Sequence, residues 1–104
     1  MAKTFYASYI EFVPVKGETD KLLAAMLEAA TAMENVPDCL QYAVGLNAEN
    51  RNIGVWEVWT SQDAHERSLM DAETRAFIKQ TMPSIKEIIP ARQIDLRGGK
   101  GVPS

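Results

Sequence analysis

The chain has 104 residues, 46% apolar and 24% charged, with a formal net charge of −3 and one cysteine. One domain of this size buries roughly two-thirds of the surface its unfolded form exposes, enough for a core without disulfides or structural metal. Scattered Lys and Arg argue against nucleic-acid binding, no apolar run reaches bilayer length, and the polar, Glu11-interrupted N-terminus does not read as a signal peptide, so a cytoplasmic protein outside membranes is expected.

Residues 4–15 predict a strand. Phe5, Tyr6, Tyr9, Ile10, Phe12 and Val13 fill both parities, the pattern of a strand covered on both faces, and Pro14 suits its terminus. After the Lys16-Gly17 turn, residues 19–33 predict a helix. Leu22, Leu23, Met26, Leu27, Ala30 and Met33 recur at i, i+3/i+4 spacing, and five alanines raise helix propensity. Asn35-Val36-Pro37-Asp38 stops it. Residues 39–46 and 53–59 predict an antiparallel hairpin around the polar turn 47–52. Ser61 is placed to cap a helix over 62–70 and Asp71 a further helix over 72–81, after which Pro83 interrupts the pattern. A fourth strand is expected over 91–96. The domain is expected to span 1–97, with a flexible tail over 98–104.

Strand, helix, strand, strand, helix, strand is the split βαβ, ferredoxin-like order of an α+β fold, with helices on one face of a four-stranded antiparallel sheet. Trp56 and Trp59, three apart on the third strand, point to opposite faces. Trp59 shares parity with Ile53, Val55 and Glu57 and is expected to face the helices. The other face carries Trp56 and part of the aromatic first strand, an apolar patch of interaction size. A homodimer with the two sheets packed face to face, an α+β barrel, is the expected cover.

Several residues stand together in a particular order. Pro37, Cys39, Leu40 and Tyr42 enter the second strand. Glu57, Trp59, Ser61, Ala64 and Leu69 follow the third strand into its helix, and Arg75-Ala76-Phe77 lie beyond. This order and spacing resembles the antibiotic biosynthesis monooxygenase family over roughly residues 5–96. The resemblance implies a dimeric α+β barrel with a pocket between helices and sheet in each subunit. It also implies cofactor-independent oxygenation of an electron-rich aromatic, such as a quinol, anthrone or polyphenol, by dioxygen. Such chemistry needs a dry aromatic pocket, a proton acceptor and a donor for the developing oxyanion. Many members carry a histidine four residues after the helix alanine, where this chain has Ser68; its one histidine is His65. Haem-degrading relatives place an axial histidine at about Ile78 and an asparagine at about Ile10, so no haem is expected here. One His and one Cys cannot build a zinc site either. No cofactor and no metal are expected.

The candidate site residues each have two readings. Trp59 is a wall that stacks on a planar substrate, or a core aromatic. Glu57 is a poorly solvated base, or a charge paired across strands with Arg92 or Lys79. His65, the side chain that naturally titrates near neutrality, is a general base at the cleft mouth, or a solvent-facing residue. Tyr42 and Phe77 are substrate-binding wall or packing, Arg75 is an anion partner or a surface charge, and Tyr6 is a phenolic donor or packing. Cys39 reads as a buried, inert thiol. The expected function is a cofactor-independent monooxygenase of a quinol-like or polyphenolic small molecule. The alternative is a non-catalytic dimeric barrel that binds a small apolar ligand.

Overall fold

The computed structural model describes residues 4–103. The elements run β1 (Phe5–Pro14), α1 (Thr19–Met33), β2 (Cys39–Leu46), β3 (Ile53–Trp59), α2 (Gln62–Met70), α3 (Ala72–Thr81), a 3-10 turn (Met82–Ser84) and β4 (Ile85–Leu96). The four strands form one sheet in the order β2-β3-β1-β4, with every neighbouring pair antiparallel. This is the ferredoxin-like α+β architecture that the element order predicts. No helix among the described residues is long and apolar enough to cross a membrane.

Alternation along β3 divides the core into two layers. Ile53 and Val55 pack with Leu22 and Met26 of α1, joined by Ile10, Phe12, Tyr42 and Phe77. Leu22 and Met26 are one helical turn apart, so both reach the sheet from a single stripe. On the opposite face Val58 packs with Phe5 and Ala7, joined by Leu40, Trp56 and Leu96. Trp59 thus lies on the helix side, 1% exposed, and Trp56 on the other. The two helices after β3 are fixed by their caps. Ser61 Oγ accepts from Ala64 N at 3.1 Å, and Asp71 Oδ2 accepts from Glu73 N and Thr74 N.

Two segments differ from expectation. β4 begins at Ile85, not Ala91. Pro83 reads as an interruption in sequence, yet it sits in the first turn of the short 3-10 segment, where no N–H is needed. Pro90 lies on an edge strand where the pairing slips from Tyr9↔Arg92 to Glu11↔Ile89, a bulge that requires no ladder bond from it. The segment expected as a flexible tail lies across the second face of the sheet. Val102 packs on the Phe5–Ala7–Val58 cluster, and its N–H donates to Gly99 O at 3.1 Å. Gln41 Nε2, on the far edge strand β2, donates to Gly101 O at 2.8 Å, while Gln41 Oε1 accepts from Trp56 Nε1 at 3.1 Å. Gly99 (φ 138) and Gly101 (φ 83) take the left-handed conformations of this reversal.

A second bulge lies in β2. Its register passes from Cys39↔Trp59 to Gln41↔Val58, leaving Leu40 unpaired. Cys39 and Tyr42, three apart, consequently both face the helices, opposite Trp59 and Glu57.

On the second face the Tyr9 ring lies across Gly54, so closely that a Cβ there would overlap the phenol. Gly54→Ala should therefore displace Tyr9 and destabilise the fold by about 1–3 kcal/mol. Urea unfolding of a double-mutant cycle with Tyr9→Ala should show most of that cost gone once the ring is removed.

Candidate active site

The helix face of the sheet carries a compact group of polar and aromatic side chains at the end where β3 passes into α2. Glu57 and Trp59, two apart on β3, point to the same side, and the Trp59 indole Nε1 donates to Glu57 Oε1 at 3.0 Å. His65 arrives from the first turn of α2. Its Nε2 lies 3.8 Å from the same carboxylate oxygen, too long for a hydrogen bond but within ion-pair reach if the imidazole is protonated. Side-chain exposure is only 17% for His65 and 14% for Glu57. The imidazole stacks on Tyr6 of β1, with centroids 5.1 Å apart and planes at 30°. It also meets Trp59 edge-on at 5.5 Å.

The neighbours of Glu57 are proton donors held in their neutral forms. Tyr42, its cross-strand partner, has its pKa pushed well above the ordinary tyrosine value, by burial first and then by the Glu57 charge. Tyr6 shifts the same way, through burial, Glu57 and Glu66, against a hydrogen bond with Gln93. Burial, reinforced by Glu57, pushes the Cys39 thiol up to about 11. Each of these acids would have to place a second negative charge beside an existing one in a poorly solvated setting.

Two open recesses flank the group. One, of about 370 Å³, is bordered by Leu27, Met33, Glu34, Cys39 and Tyr42. The other, of about 400 Å³, is bordered by Tyr6, Ser61, Gln93 and Asp95. Among the described residues no three of His, Cys, Asp and Glu gather as a metal site requires.

The structure brings His65, Glu57 and Trp59 together, with Tyr42 opposite Glu57. Phe77 is half-buried on α3 against the Leu22–Met26–Ile53–Val55 cluster. Arg75 is exposed on α3. The expected pairing of Glu57 with Arg92 or Lys79 does not occur. Arg92 opposes Tyr9, whose alternation puts it on the second face, Lys79 is exposed, and Trp59 and His65 take the carboxylate instead. Tyr6 emerges as a full member of the group through its stack on His65, which strand parity alone did not reveal. Gln93 joins by facing Ser8 from β4, a placement that depends on the pairing of the edge strand.

A sequence model for antibiotic biosynthesis monooxygenases matches residues 6–80. The chain belongs to that family. The matched span contains Tyr6, Cys39, Tyr42, Glu57, Trp59 and His65, and leaves β4 and the segment after it outside. Among solved structures, a candidate antibiotic biosynthesis monooxygenase from Chloroflexus aurantiacus is 27% identical, with a TM-score of 0.83 over 95% of this chain and 99% of that one. The protein Rv0793 of Mycobacterium tuberculosis shares the fold at 14% identity, with a TM-score of 0.81 over 92% and 98% of the two chains. PA3566 of Pseudomonas aeruginosa does so at 14% identity, with a TM-score of 0.80 over 91% and 96%. No curated protein matches the sequence.

Cys39 reports on the Glu57 charge. At pH 8 its native thiol should react with a disulfide reagent roughly a hundredfold more slowly than the same thiol in the unfolded chain, and Glu57→Gln should narrow that gap. Because the folded pKa is raised, the unfolded chain ionises first. The stability that this thiol contributes is complete below pH 9.0 and is lost as pH rises through about 11. Alkaline unfolding of wild type against Cys39→Ala measures it.

Proposed function

We propose that the protein is a cofactor-independent monooxygenase of a quinol-like or polyphenolic aromatic, acting as a homodimer. The observation that carries this reading is the shared carboxylate oxygen of Glu57, held by the Trp59 indole and facing His65 inside an aromatic surround. A base held in place by a partner is what removal of a phenolic proton needs. The histidine common in the family four residues after the helix alanine is replaced here by Ser68, yet His65 and Ser68 are both half-buried and share one side of α2. The imidazole is thereby moved by about 4.5 Å along the helix axis, not turned away.

In this mechanism His65 accepts the proton of a phenolic O–H, and the resulting imidazolium is stabilised by Glu57. The electron-rich phenolate passes one electron to dioxygen. The substrate radical and superoxide then combine at a ring carbon that still bears hydrogen. The imidazolium returns its proton to the peroxide, and the hydroperoxide loses water to leave a carbonyl at that carbon. One oxygen atom enters the product and one leaves as water, with all the electrons coming from the substrate. Trp59 and Tyr42 wall the site, Tyr42 as a neutral donor to the oxyanion, and Phe77 continues the wall from α3. Arg75 takes no part. The second sheet face leaves Tyr9, Ile89 and Ile94 exposed, which supports a second copy as its cover.

Oxygen consumption with a panel of quinols and anthrones tests the reaction, alongside light scattering for the dimer. His65→Ala should lower kcat by about 10²–10⁴, and Trp59→Ala should lower turnover by freeing Glu57. Uptake no faster than background across the panel would remove the reaction. One observation favours a second reading, a non-catalytic barrel that holds a small apolar ligand. The Ser68 hydroxyl donates to the His65 carbonyl at 2.6 Å and is already engaged by its own helix. A ligand recovered unaltered, with no oxygen uptake, would select that alternative.

A further inference from the structure

Glu57 is an interior anion that no lysine or arginine answers among the described residues; its contacts there are Trp59 Nε1 and His65 Nε2. Several cations are committed elsewhere or exposed. Arg67 pairs with Asp38 at 3.8 Å and Arg97 with Asp95 at 3.0 Å, both on the surface. Arg92 belongs to the second face, and Arg75 is exposed. The other side chains around the carboxylate, Tyr6, Cys39 and Tyr42, are all kept protonated and hence neutral near pH 7. Of the two recesses beside the group, the first is lined by Glu34 and the second by Asp95, which Arg97 engages, and neither is lined by a lysine or arginine.

We infer that Glu57 makes the site charge-selective, so that it takes its aromatic ligand as an uncharged phenol and rejects analogues bearing a carboxylate, sulfonate or phosphate. A carboxylate brought beside Glu57, whose side chain is only 14% exposed, meets a like charge where repulsion is weakly screened. It meets no guanidinium at Glu57 to pair with. A neutral hydroquinone meets the same carboxylate as an acceptor. The proton is then lost only after binding, beside the group that receives it.

This specificity presupposes the aromatic-substrate reading of the site, so the deciding measurement is binding in the absence of oxygen, not turnover. The probes are methylhydroquinone, 2,5-dihydroxybenzoate and the neutral 2,5-dihydroxybenzamide, titrated anaerobically into the full chain at pH 8. Wild type should bind methylhydroquinone and the benzamide with similar affinity, and the benzoate at least about tenfold more weakly. Glu57→Gln should close most of the gap between the benzoate and the benzamide. Benzoate binding as tight as that of the neutral ligands overturns the proposal, as does a Glu57→Gln variant that folds and leaves the gap intact. A benzamide that binds as weakly as the benzoate also overturns it, because size and not charge would then decide; this comparison needs no variant to fold. Failure of all three ligands to bind overturns it too. Preferential neutral binding without oxygen uptake would remove the proposed reaction and leave the selectivity standing, so the two failures are distinguishable.

Discussion

The pleat of β3 is the constraint on which the rest of the structure depends. Ile53, Val55, Glu57 and Trp59 fall on one side and Gly54, Trp56 and Val58 on the other, because successive side chains of a strand alternate. The first set meets α1 through Leu22 and Met26 and reaches His65 at the start of α2. The second set meets Phe5, Ala7 and the segment around Val102. A slip of one residue would exchange the two sets. It would put Glu57 against the apolar layer and send Trp56 toward the helices. Packing and chemistry therefore share a single register, and β1 holds it by pairing with β3 from Tyr6↔Trp59 to Phe12↔Ile53.

Within that register the structure tolerates a carboxylate where apolar side chains would pack more simply. Glu57 is largely buried, and a buried charge is costly unless it is hydrogen-bonded. Its indole partner satisfies one oxygen without supplying a counter-charge, and the nearby imidazole supplies a charge only when protonated. The carboxylate consequently remains a strong local field. Burial first, and this charge second, raise the proton affinity of Tyr6, Tyr42 and Cys39, which come from two different strands.

Much of the fold was legible in the sequence because its signals are local. Helical spacing and the caps at Ser61 and Asp71 delimit α1, α2 and α3, and alternation assigns Trp59 and Glu57 to the helix side. The first half of β4 was hidden because Pro90 is a breaker anywhere except an edge or a bulge, and neither can be recognised before the sheet is assembled. The course of residues 97–103 was hidden because a glycine-rich composition is the same for a free tail and for a reversal. What distinguishes them is Gln41, sixty positions away in the chain. The candidate site divides the same way. Parity foretells which strand residues face inward, whereas the approach of His65 to Glu57 and Tyr6 depends on how α2 docks. The expected partnership of Glu57 with Arg92 failed for a related reason, since the face an arginine occupies on β4 is set by its pairing with β1.

The unpaired Leu40 in β2 has a consequence in evolutionary terms. It acts as a phase element: upstream of it β2 presents Cys39 inward, and downstream it presents Tyr42, although their odd separation would put them on opposite faces of an unbroken strand. Loss of one residue at this point would not merely shorten β2. It would leave a lineage to choose between keeping Cys39 beside Trp59 and keeping Tyr42 beside Glu57, and the Gln41 bridge between Trp56 and Gly101 would move with whichever was sacrificed. Insertions and deletions are therefore expected to be rarer here than in the exposed Asn47–Arg51 turn.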